Sequence, residues 1–289
     1  PKKLFVIADG PRLDHPDDDR NCSDTRKVIE HINWDCEVLK NYSDVNLGCG
    51  HRIASGISWV FEQVEEAIIL EDDCVPNPSF FKYCEELLKK YREDERVMTI
   101  CGTNRLSGLK RGPYSYSFRY LFSCWGWATW RRAWKYFDYE IKLWKELRET
   151  IWMLNILSEP RHANYWKEIF DQYYCYKGND VWDYQWMFAC WTQNALAIIP
   201  EVNLIENIGF GENSTHFKNG SDPLGIHFTK EINFPLRHPP YIDIELDAEL
   251  CIMESLIERE GRIPFYKRPC RLLKNYLIDR CYKKGAVSQ

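Results

Sequence analysis

The segment Ala67-Ile68-Ile69-Leu70-Glu71-Asp72-Asp73-Cys74 runs four apolar residues straight into three acids. Pro76, Asn77 and Pro78 follow at once. A short apolar run bounded by turn formers predicts a strand buried on both faces. Its end sets three carboxylates where a strand of an α/β sheet meets solvent, the usual ligand crevice. Adjacent acids repel one another unless a cation or ordered donors offset the charge. Hard cations such as Mg²⁺ and Mn²⁺ take oxygen ligands, and Mg²⁺ typically shares carboxylates with substrate phosphates. The segment reads as a metal–diphosphate site or as a solvated acidic turn closing an ordinary strand.

Upstream, Leu4-Phe5-Val6-Ile7-Ala8 reads as a buried strand ending in the turn Asp9-Gly10-Pro11-Arg12. A polar, exposed loop through Asp17, Asp18, Asp19 and Arg20 follows, and Ser23 caps a helix running to about Asn33. Cys36 to Leu39 is a second strand, and Asn46 to Gly50 is a Gly-rich turn. Ile53, Ile57, Val60, Phe61 and Val64 then mark one face of a helix leading into the acidic strand. Downstream, Asn77 and Pro78 suit the N-cap and first position of a helix carrying Phe80, Phe81, Cys84, Leu87, Leu88 and Tyr91. Val97 to Cys101 is the fourth strand. This alternation over residues 4–101 predicts a parallel, doubly wound α/β layer. The Asn46–Gly50 turn lacks GxGxxG and no Walker A motif occurs, so neither dinucleotide nor P-loop signature is present.

The pattern changes after residue 101. Tyr114 to Phe122 reads as a strand or hairpin, and Cys124-Trp125-Gly126-Trp127-Ala128-Thr129-Trp130 as an aromatic loop. Residues 131–194 read as mainly helical and Trp-rich, and Leu196 to Pro200 as a strand. Asn207 to Asp222 has the Gly, Asn and Ser content of a mobile loop. Residues 262–289 hold eight Lys or Arg against Asp279 alone, with leucines interleaved. That composition suits a basic amphipathic helix at an anionic membrane surface, or a helix packed on the domain. The expected organisation is a catalytic domain over 1–230, with a nucleotide-binding half (1–101) and an acceptor half with a metal-closing loop (102–230), then a basic helical extension over 231–289.

Composition narrows the function classes. The 289 residues are 45% hydrophobic and 28% charged, a globular balance with ample length for a core. A net charge of −5 argues against general nucleic-acid binding. No apolar run approaches the ~20 residues needed to span a bilayer, and the start carries no signal-peptide pattern. The 12 cysteines form no CxxC pair, which argues against zinc and favours buried free thiols over disulfides. The expected compartment is the cytoplasm, peripheral at a membrane where residues 262–289 engage one, or the Golgi lumen where an anchor precedes Pro1. Twelve Trp suit core packing first and sugar stacking second.

The run from Arg52 to Tyr91, with Ala54, Gly56, Ile68 to Asp73, Pro78, Phe80-Phe81 and Tyr83, resembles the GT-A fold glycosyltransferases. It is similar to the branch of N-acetylglucosaminyltransferase I and its bacterial relatives. Glu71-Asp72-Asp73 matches that branch's version of the DxD metal motif, and Trp125-Gly126-Trp127 resembles the glycine-containing loop bordering the donor sugar. Trp182-Asp183 matches the later acidic motif that carries the catalytic base of inverting members, and His216 falls where the C-terminal metal-binding His is expected. The branch's base-recognising His falls on Gly50, beside His51.

The resemblance implies a Rossmann-like, mostly parallel sheet flanked by helices, with a helical acceptor side, and a metal-dependent inverting glycosyltransferase. A UDP-sugar, with UDP-GlcNAc the first expectation, gives its sugar to a hydroxyl of a glycan or lipid-linked glycan. The implied cation is Mn²⁺ or Mg²⁺, held by Asp73 and His216. Asp72 lies near the ribose or the metal's water shell, Glu71 and the Gly126-Trp127 pair near the donor sugar, and Lys218 near the diphosphate. Asp9, Arg12, Asp44 and Arg52 follow the first two strands, where such proteins meet the nucleotide; a carboxylate suits a ribose hydroxyl or uracil N–H, and Arg suits phosphate or base. Asp183, in the first turn of a helix whose dipole keeps it ionised, is the expected base, with Asp180 second or capping the same helix. Two other readings stay open: a metal-dependent nucleotidyltransferase and a non-catalytic carbohydrate-binding relative.

Overall fold

The computed structural model describes residues 1–106, 112–175, 180–209 and 228–259. The chain is α/β. Strand β1 (Lys3–Ala8) pairs in parallel with β2 (Glu37–Tyr42) in a two-stranded sheet. Between them α1 (Asp18–Lys27) and a 3₁₀ turn (Val28–His31) bury no residue. The helix thus begins five residues before Ser23, in the segment that reads as a loop. Its signal is charge, with Asp18 and Asp19 in the first turn and Arg26 and Lys27 in the last, which complements the helix dipole. Helix α2 (Cys49–Phe61) lies against β1. Gly56 has no room for a Cβ, which would stand 2.7 Å from Ile7, and Trp59 meets Phe5 edge to face at 5.6 Å.

The second sheet has five strands in the order β3-β7-β5-β8-β6. These are β3 (Glu66–Ile69), β5 (Val97–Cys101), β6 (Tyr116–Arg119), β7 (Trp127–Trp130) and β8 (Leu196–Pro200). Only β5 and β8 run parallel; the other three pairings are antiparallel. The expectation of a mostly parallel sheet is therefore corrected to a mixed one. The cause is Trp127 to Trp130, which reads as an aromatic loop but inserts between β3 and β5 as a fully buried strand. Trp-Ala-Thr-Trp is buried on both faces, so it lacks the polar alternation that marks a half-exposed strand. Strand β3 is half-buried rather than buried on both faces, and Leu70 at its end is 39% exposed.

Side chains alternate between two cores, with the period of two that a pleated strand imposes. Trp127, Ala197 and Ile199 join one cluster; Ala128, Trp130, Leu196 and Ile198 join the other. The second cluster packs α3 (Ser79–Lys90) through Phe80, Tyr83, Cys84 and Leu87, while Phe81 faces outward. Asn77 Oδ1 accepts from the Ser79 N–H at 3.0 Å and so caps the start of α3. The first cluster holds most tryptophans and the helices α4 (Arg131–Trp134), α5 (Trp144–Leu147), α6 (Trp152–Leu157), α7 (Pro160–Cys175) and α8 (Asp183–Thr192). Helix α8 is buried from Gln185 through Trp191, as befits a helix apolar on nearly all sides.

The cores continue past residue 230. Ile232 and Leu236 are buried in one, and Ile252, Met253 and Ile257 of α9 (Leu246–Arg259) in the other. The ten cysteines among the described residues are free, with Cys84 and Cys101 fully buried. Among the described residues no helix is long and apolar enough to cross a membrane.

Candidate active site

The three acids sit on a tight turn. The Cys74 N–H donates to Glu71 O at 3.1 Å, turning the chain from β3 into β4 (Cys74–Pro76). Strand β4 pairs antiparallel with β9 (Ile205–Asn207), and the Ile208 N–H donates to Asp73 O at 2.8 Å. A Cβ on Gly209 would stand 2.3 Å from Asp73 Oδ2. The chain therefore passes directly over the Asp73 carboxylate as it leaves Asn207. His216 and Lys218 lie outside the described residues.

Glu71, Asp72 and Asp73 line a cavity of about 550 Å³ together with Cys49, Trp125, Trp182 and Asp183. Asp183 thus joins the acids from more than a hundred residues away. Asp72 is exposed at the rim, while Glu71 and Asp73 are half-buried. Burial, reinforced by Asp73, Asp183 and Asp72, pushes the Glu71 carboxyl up to about 8. Its Oε1 is buried with no hydrogen-bond partner. Burial pushes the Cys49 thiol up to about 12, aided by Glu71, Asp180 and Asp183, and raises Cys124 for similar reasons. Both thiols are held in the protonated, unreactive form.

These groups fit a hard divalent cation in their chemistry. An orphaned carboxylate oxygen and mutually repelling acids are what a cation relieves, and the donors are oxygens. Among the described residues no three His, Cys, Asp or Glu side chains form a metal-holding group, and His216, the expected second ligand, lies outside them.

The expected nucleotide contacts are placed differently from one another. Asp9 spends its carboxylate on the 46–48 turn, accepting from the N–H groups of Gly10 and Leu47 at 2.9 Å and Gly48 at 3.0 Å. Arg52 is 7% exposed and turned inward, donating to Ala8 O at 3.1 Å and to Asn41. Both act as clamps on the ends of β1 and β2 and do not present their charge to a ligand. Arg12 stands at the surface with Asp18 at 2.7 Å, and Asp44 is exposed. Arg26, which sequence reading passed over, donates to Asp9 O at 3.0 Å and Ser43 O at 2.7 Å.

The aromatic segment also divides. Trp127 is fully buried, stacked on Trp182 at 5.4 Å and 22°, so its ring cannot meet a sugar. Gly126 takes φ +61°, and a Cβ there would stand 2.4 Å from Ile205, so the residue serves a tight turn. Trp125 is half-buried and lines the cavity, its carbonyl fixed by Thr103 Oγ1 at 2.8 Å. His51 stacks on Tyr139 at 4.0 Å.

Asp180 does not cap α8. Its carboxylate accepts from the Cys49 N–H at 2.7 Å and the Gly50 N–H at 2.6 Å, capping α2 instead. Gly48 makes room for it at φ +81°. Asp183 opens α8, where the helix N-terminus favours a negative charge. The cavity further includes Arg105, Arg119, Tyr173, Tyr184 and, from α9, Ile252 and Leu256. No local motif marks these residues; the apolar spacing of α9 is the only sequence signal for the last two. Compared with known proteins, the chain matches no family model and no curated protein.

Proposed function

We propose that the chain is a metal-dependent inverting glycosyltransferase that moves a sugar from a UDP-sugar, UDP-GlcNAc first, to a hydroxyl of a glycan or glycolipid. One observation carries this reading: Glu71, Asp73 and Asp183, remote in sequence, line a single cavity. In it the Glu71 carboxyl is raised to about 8 by burial and by the neighbouring acids. Asp73, with His216, would hold the cation, which when bound offsets the charge on the departing diphosphate. Glu71 accepts from donor-sugar hydroxyls, and Asp72 faces the ribose or ordered water at the rim. Asp183 takes the acceptor hydroxyl's proton as that oxygen bonds to C1 and the C1–O bond to the diphosphate breaks, releasing UDP. Trp125 takes the donor-facing place expected of Trp127. Nucleotide contact falls to the exposed Arg12 and Asp44 and to Lys218.

Calorimetry with UDP, with and without Mn²⁺, tests the reading. Metal-dependent binding is expected, and its absence sinks the proposal. Asp183→Asn is expected to abolish transfer while leaving UDP binding intact; surviving transfer would put the base elsewhere.

A further inference from the structure

The cavity that holds the acids also has an apolar end: Leu121, Phe122, Met187, Ile252 and Leu256 line it and pack in one hydrophobic cluster. Leu121 and Phe122 lie just beyond β6, Met187 is on α8, and Ile252 and Leu256 are one turn apart on α9. A sugar ring carries hydroxyls around its rim, and these five side chains carry no hydrogen-bonding group for them; the polar groups of the same lining belong to other residues, Ser123 and Arg119 among them. Apolar surface lining such a space is best covered by an apolar group. The whole cavity, the acids included, measures about 550 Å³, within the roughly 300–1,000 Å³ of pockets that enclose a drug-sized ligand.

Helix α8 joins the two ends. Asp183 and Met187 are four residues apart, so their side chains neighbour each other on one flank of the helix, with Cβ atoms about 5–6 Å apart. Tyr184 follows Asp183 directly and stacks on Tyr173 at 4.8 Å, and both residues line the cavity. Arg119 lies in the same wall, with Glu245 at 3.4 Å. A molecule with its hydroxyl at Asp183 therefore points its next atoms toward the apolar end.

We infer that the acceptor is an amphipathic glycoside. Its sugar hydroxyl lies at Asp183 and its aglycone, an alkyl or aryl group, lies between Phe122, Met187 and the Ile252–Leu256 face of α9. The inference rests on the glycosyltransferase reading and narrows its acceptor class.

The test is a series of methyl, butyl, hexyl, octyl and phenyl glycosides, each kept below its micelle concentration. Transfer is followed with UDP-sugar and Mn²⁺, and binding of the same compounds is followed by calorimetry without donor. KM and Kd are expected to fall about fourfold per methylene until the pocket is full, the fold-change equivalent to ~0.8 kcal/mol per buried CH₂. Leu256→Gln is expected to flatten that slope without changing the Kd for UDP, and Leu256→Met to keep it. A fall in either the alkyl or the phenyl arm relative to the methyl glycoside supports the inference. Both arms matching the methyl glycoside while UDP-sugar is consumed overturns it and leaves the transferase reading standing. Failure of metal-dependent UDP binding instead removes the transferase reading, and the acceptor assignment with it.

Discussion

The β1–β2 pair and the five-stranded sheet are held together by different means. Around β1 and β2 no strand residue is fully buried, and the apolar contacts of Phe5 and Ile7 with α2 are supplemented by polar clamps: Asp9 on the 46–48 turn, Arg52 on Ala8 and Asn41, and Arg26 on Asp9 and Ser43. Around β5, β7 and β8 every residue is buried, and the cohesion is aromatic. Trp127 stacks on Trp182, and Trp134 and Trp186 pack against them at tilted angles, with Trp186 Nε1 donating to Thr99 Oγ1 at 3.1 Å and Trp134 Nε1 to Ser58 Oγ at 3.0 Å. Charge in this sequence is therefore not by itself a ligand signal, nor is an aromatic. Each is spent first on whichever half lacks the other means of cohesion. The acid turn at Glu71 shares its cavity with Cys49, the first residue of α2.

Trp186→Ala is the most severe substitution. It empties a fully buried site and is expected to cost about 3–5 kcal/mol in denaturant unfolding. A loss below 1 kcal/mol would deny the aromatic half its role. Arg52→Met tests the polar half by taking the guanidinium from the Asn41 carbonyl and side chain and leaving Ala8 O with the Ser43 N–H, with an expected loss of about 1–3 kcal/mol. Asp180→Ala removes the cap on α2 and is expected to cost about 1 kcal/mol; Asp180→Asn, which keeps an acceptor oxygen, should recover part of it.

The finest test is one of pH. Glu249 of α9 is 4% exposed and accepts from the Leu121 N–H at 3.0 Å; burial, opposed by Arg119 and the backbone N–H groups, lifts its carboxyl from 4.5 to about 7. A raised carboxyl binds its proton more tightly folded than unfolded, so its contribution to stability falls as pH rises from 4.5 toward about 7. Glu249→Gln is expected to remove that part of the Tm–pH slope. An unchanged slope would mean that Glu249 is already ionised in the fold.

The sequence made the local elements legible and hid the pairings between them. Val97 to Cys101 and Leu196 to Pro200 are strands as their apolar runs predict. The placement of β7 was hidden because a strand buried on both faces carries no alternation, and Trp reads as readily as a binding residue as a core one. In the candidate site, Glu71 to Asp73 and Asp183 line one cavity although they lie more than a hundred residues apart in the chain. The inward turn of Arg52 and the engagement of Asp9 were not legible, since composition does not say which way a charged side chain points. Asp180 was read with its chain neighbours because caps are usually local, whereas its partners are about 130 residues away.

That long-range cap has a practical consequence. Asp180 and Asp183 share one short stretch, so the first turn of α8 and the amides of Cys49 and Gly50 form one mechanical unit. Those two amides are built-in reporters of the Asp183 segment. Their hydrogen exchange will quicken when the stretch loosens and slow when a ligand at Asp183 holds it still, which gives a readout of occupancy that requires no turnover.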